Sequence, residues 1–105
     1  MQIPDKIKMG AHIIKIEKVC AKDIEESGEF SNYYNLIRLR IDDQPESSIA
    51  ECFLHELLEG IKLKNNLTID HTHLTVLSEG LFQVLRDNKL FFADKQTPET
   101  PGKQY

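Results

Sequence analysis

Ser48-Ile49-Ala50-Glu51-Cys52-Phe53-Leu54-His55-Glu56-Leu57-Leu58-Glu59-Gly60-Ile61 is the stretch that decides the fold. Pro45 ends the strand pattern before it. Ser48 to Glu51 then has the spacing of a capping box, in which hydroxyl and carboxylate satisfy the free amides of a helix start. The spacing predicts a helix from there to about Ile61. At about 100° per residue, Ala50, Phe53, Leu54, Leu57, Leu58 and Ile61 fall on one broad apolar face. Cys52, His55, Glu56 and Glu59 fall on the other, the pattern of a surface helix with one solvated side.

Downstream, Lys62 to Ile69 reads as a connecting loop, and Asp70 as the N-cap of a second helix running to about Asn88. Leu74, Leu77, Leu81, Phe82 and Leu85 are its expected core stripe. Leu90-Phe91-Phe92 reads as a short extended segment that packs back on the domain. Residues 95 to 105 carry Pro98, Pro101 and Gly102 with almost no apolar side chain, and read as a flexible tail.

Upstream the period changes to two. Lys6 to Met9 and His12 to Val19 flank Gly10-Ala11 as a hairpin, with Gly10 supplying the positive φ of a tight turn. Asp23 to Gly28 is acidic and reads as a loop. Leu36 to Ile41 alternates apolar and basic residues, so Ile37, Leu39 and Ile41 should face a core. Phe30 to Tyr34 is its expected partner strand, turning at Asn32 or Asn35. The expected fold class is α+β, with a small antiparallel sheet from the N-terminal half packed on two C-terminal helices. One domain is expected over residues 1–94, followed by the tail.

Composition narrows the function classes. A chain of 105 residues builds one modest core. With 40% hydrophobic and 29% charged residues and no long apolar run, it reads as an ordinary globular protein without leader or membrane span, expected in the cytoplasm. A net charge of −4 argues against a nucleic-acid partner, which calls for a basic face. Cys20 and Cys52 lack C-x-x-C spacing and read as reduced thiols.

His55-Glu56-Leu57-Leu58-Glu59 is the zinc-protease pattern H-E-x-x-H with glutamate in the last position. Residues i and i+4 share one side of a helix, so His55 and Glu59 can hold one metal ion. Glu56, displaced about 100°, can serve as general base. An open catalytic zinc site has three protein ligands, and here the third must come from elsewhere. His71 and His73 stand at the start of the second helix, about 160° apart around it, and geometry alone does not choose between them. His12, in the first hairpin, reads as structural. No nucleophile elbow, phosphate-binding glycine loop or second acid pair competes with this motif.

Five segments carry a resemblance: Ile3-Pro4 with Ile7 to Gly10, Leu36 to Asp42, Pro45 to Ser47, Phe53 to Glu59, and Leu81 to Asn88. In this layout, from about Ile3 to Phe92, the chain resembles the small zincin-like metallopeptidases encoded by phages and prophages. Many members carry H-E-x-x-H and an acidic residue at the start of the next helix. Here the acid stands in the motif at Glu59 and a histidine stands downstream at His71, which keeps the donor set of a gluzincin site. The resemblance implies a zincin-like fold, zinc held by His55, Glu59 and His71, and Glu56 as catalytic base; spacing alone keeps His73 as the alternative ligand. It implies a zinc-dependent hydrolase acting on a peptide or protein. The competing expectation is a non-catalytic phage accessory protein whose metal is structural or absent. Leu36 to Ile41, if it lies at the sheet edge, is the strand expected to align an extended peptide.

Overall fold

The structure, a computed structural model, describes residues 2–88. Four strands and two helices follow in chain order: β1 (Lys6–Met9), β2 (His12–Val19), β3 (Gly28–Ser31), β4 (Leu36–Arg40), α1 (Glu46–Lys64) and α2 (His71–Asp87). The chain is therefore α+β, with the strands in the N-terminal half and both helices after them. The expected segment 90–92, the tail 95–105 and the domain boundary at 94 lie outside the described residues.

The β1–β2 hairpin forms in the expected register, with Met9 opposite His12 and Gly10 at φ 62°. The sheet is mixed, however, and not antiparallel throughout. Its order is β1-β2-β4-β3, and β4 runs parallel to β2. The link after β2, which contains a single 3-10 turn at Ala21–Asp23, carries the chain one strand position too far. The turn through Asn35, at φ 53°, then folds β4 back into the gap. This makes β4 a central strand, and the free edges belong to β1 and β3. The central position suits its alternation, since Ile37 and Leu39 are fully buried. Ile41 lies past the strand end and is 44% exposed, contrary to expectation. β3 is Gly28–Ser31, three residues earlier at its end than the expected Phe30 to Tyr34, because Tyr33 and Tyr34 belong to the turn and stay exposed.

One face of the sheet closes on α1. Ile14, Ile16, Ile37, Leu39 and Phe53 form the principal core, with Ile7, Met9, Phe30 and Leu57 against it. Each fully buried side chain of this size contributes about 1.5–3 kcal/mol by leaving water. On the other face Arg38 bridges Glu17 and Glu29 across three strands, at 3.7 and 3.3 Å. α2 packs on α1 through Phe82 against Ala50 and Leu54. The expected arrangement of a sheet against two helices becomes a sheet on α1 and α2 on α1.

Two details of the helices differ from expectation. α1 starts at Glu46, with Pro45 as its cap residue and no side-chain cap. The Ser48 amide donates to the Pro45 carbonyl at 3.0 Å, so the helix is already under way where the capping box was expected. In α2 the buried stripe is Leu74, Ser78 and Phe82, while Leu77 and Leu81 are 56% and 40% exposed. One neighbouring helix covers only a narrow strip, and the i, i+4 line through Leu74 is the one it covers. The Asp70 cap forms as expected, its carboxylate accepting from the His73 amide at 2.8 Å. Among the described residues no helix is long and apolar enough to cross a membrane.

Candidate functional site

The polar side of α1 is not a solvated face. Its residues Cys52, Glu56 and Gly60, each four apart, lie beneath β3. A Cβ on Gly28 would stand 2.6 Å from Cys52 Sγ, and one on Gly60 would stand 2.7 Å from the Phe30 ring. The two glycines let strand and helix approach so closely that Glu56 between them is only 7% exposed.

Beside this contact a pocket of about 600 Å³ opens between the helices. α1 contributes Glu51, Cys52, His55 and Glu56, and α2 contributes His71, Thr75, Ser78 and Glu79. The segment from Glu25 to Gly28 at the start of β3, with Arg40, Gln44 and Ser48, forms the remaining wall. The size is that of a pocket for a small molecule or for one or two peptide side chains.

His55 and His71 meet at the pocket, their ring centroids 5.2 Å apart and their planes at 67°. Burial, and then the neighbouring His71, pushes the His55 pKa below its ordinary value, which favours the neutral ring. Ser78, 1% exposed, gives its hydroxyl proton to the Thr75 carbonyl at 2.9 Å. Toward His55 Nδ1, 3.5 Å away, its oxygen can then only accept. That contact favours a proton on Nδ1 and leaves Nε2 with its lone pair free.

The Glu56 carboxyl is pushed up to about 7, first by burial and then by the negative charges of Glu59, Glu26 and Glu29. Among the described residues it makes neither hydrogen bond nor ion pair. A carboxyl in this state exchanges protons near neutral pH, as a general acid or base must. The Cys52 thiol is pushed up to about 12 by burial, Glu56 and Glu51, which keeps it protonated and inert.

Of the residues singled out in the sequence, His55, Glu56 and His71 line one pocket and Glu59 does not. Glu59 lies one turn further along α1, its carboxylate 3.7 Å from Lys62 Nζ. His73 points away, 75% exposed beside Asp70 at 3.2 Å. His12 is exposed on β2. Among the described residues no three His, Cys, Asp or Glu side chains stand close enough to hold a metal ion. The two imidazoles suit zinc by their chemistry, and Glu59 as placed does not join them. The sequence reading missed Glu51, Ser78 and Glu79. Glu51 stands four residues before His55, so the same i, i+4 rule that selected Glu59 also reaches it in the other direction.

No protein-family model matches this chain, and no curated protein or solved structure is matched to it.

Proposed function

We propose that this protein is a zinc-dependent metallohydrolase of the zincin-like, phage-encoded kind that its sequence resembles, with a peptide as substrate. The observation that carries the reading is a buried, unpaired carboxyl, Glu56, lining one pocket with two imidazoles, His55 and His71. In this reading Glu56 takes a proton from water as the oxygen adds to the peptide carbonyl. It returns that proton to the amine as the C–N bond breaks. A zinc ion held by His55 and His71 would supply Lewis acidity to the same pocket. Glu59 would complete the ligand set only by leaving Lys62. The strand suited to align an extended peptide is β3, a free edge whose Gly28 lines the pocket, and not the central β4.

A non-catalytic partner-binding protein is the second reading, and the pairing of Glu59 with Lys62 outside the pocket favours it. Metal content and turnover separate the two. Untagged protein purified without chelator should carry about one zinc per chain, the complement of one open site. His71→Ala should lose it and His73→Ala should keep it. Glu56→Gln should keep zinc yet cleave a mixed peptide library about 10²- to 10⁴-fold more slowly than zinc-matched parent. Equal cleavage by both, or a zinc-loaded parent that cleaves nothing, would end the hydrolase reading.

A further inference from the structure

Acidic side chains reach the pocket from three separate parts of the chain. Glu25 and Glu26 come from the loop before β3, Glu51 from α1 and Glu79 from α2, with Glu56 on the buried side. Convergence of this kind differs from the run of charges along one solvated helix. Against these five glutamates stands one cation among the lining residues described, Arg40. Its charge is already matched, since Nε lies 3.9 Å from Asp42, and that nitrogen makes no hydrogen bond.

Glu56 supplies the second observation. It is 7% exposed, lines the pocket and has no partner within the described chain. A carboxyl this buried is costly to ionise without a counter-charge, and a cation entering the pocket from outside would lower that cost. A concave wall of one sign also concentrates the field at its centre. Among the described residues no three of these acids converge on a point that would hold a bare metal ion. They line a space of about 600 Å³, wide enough for an ammonium or guanidinium group on its aliphatic stem.

We infer that this pocket receives a lysine or arginine side chain of the bound peptide, so that the protein selects basic peptides. For the word substrate the inference rests on the hydrolase reading; for binding it does not.

The test is a titration of metal-free, full-length protein with a capped pentapeptide carrying a central arginine. Its twin carries citrulline, the neutral isostere. The arginine peptide should bind at least about ten-fold more tightly, as charge-assisted hydrogen bonds to carboxylates imply. Glu26→Gln combined with Glu51→Gln should abolish the difference, with an unchanged melting temperature as the folding control. Equal affinity for the two peptides overturns the inference, and so does a preference that survives the double variant. Magnesium chloride that displaces the arginine peptide far better than sodium chloride of equal ionic strength assigns the site to an inorganic cation and also overturns it. Selective binding without cleavage leaves the inference standing and removes the hydrolase. Cleavage without basic preference does the reverse.

Discussion

Against the sheet, α1 buries Phe53 completely among Ile14, Ile16, Ile37 and Leu39, whereas against α2 it buries only Ala50 and Leu54 with Phe82. The rest of the buried α2 stripe is Leu74 and Ser78, and beside Ser78 and His55 the seam opens into the pocket. Leu57 packs against both clusters and bridges them. Stability and chemistry thus lie on different sides of α1. Apolar closure on the sheet side supplies stability, and incomplete closure on the α2 side leaves room for groups that would be too costly in a sealed core.

Truncating one aromatic on each side of α1 separates the two seams. Phe53→Ala should cost about 3–5 kcal/mol, enough to unfold much of a domain of this size. Phe82→Ala should cost about 2–3 kcal/mol, since its cluster is smaller and one side of α2 is already open to water. Urea denaturation of both variants measures this. Equal losses would mean that the two seams contribute alike and that the division proposed here is wrong.

A second test concerns the titration of the seam. The folded pKa of Glu56 is raised from 4.5 to about 7, so the folded state binds more protons than the unfolded chain between those values. This contribution is fully present below pH 4.5 and is lost as pH rises to about 7. Its upper bound is about 3 kcal/mol. His55 acts in the opposite sense: its lowered pKa makes the unfolded state the better proton binder, so stability rises as pH climbs toward 6.5. The difference between parent and Glu56→Gln, measured in metal-free protein from pH 4 to 8, isolates the glutamate. Parent stability should fall relative to the variant across that range. A constant difference would show that Glu56 titrates alike in the folded and unfolded states.

The same contrast explains what was legible in the sequence. The hairpin around Gly10, the alternation of β4, both helices and the Asp70 cap are local, each written in residues within one turn or ladder. Strand order is not local. Nothing in Leu36 to Arg40 says that β2, rather than solvent, lies on its second side. The burial of Glu56 was hidden for a related reason. A helical wheel sorts residues by polarity, but here Gly28 and Gly60 bring β3 across the polar stripe. The resemblance, and not the spacing, singled out His71 over His73 as the partner of His55. That Glu59 does not line their pocket was not legible, because an i, i+4 relation fixes the side of a helix but not where the second helix crosses it.

The smallest expected effect sits at the start of α2. Asp70 accepts from the His73 amide at 2.8 Å and so holds the first turn, which carries His71. Asp70→Ala should cost about 1 kcal/mol, the usual loss for an N-cap. The loss should be local. His71 and its neighbours are exposed and have few packed contacts, so the first turn of α2 should fray while the sheet stays closed. Hydrogen exchange reads the two regions separately. Amides of α2 from Leu74 onward through its first turns should exchange faster in the variant, and those of Ile14, Ile37 and Leu39 should keep most of their protection. Equal acceleration in both regions would show that the seam and the sheet open together, so that the helix carrying His71 cannot loosen by itself.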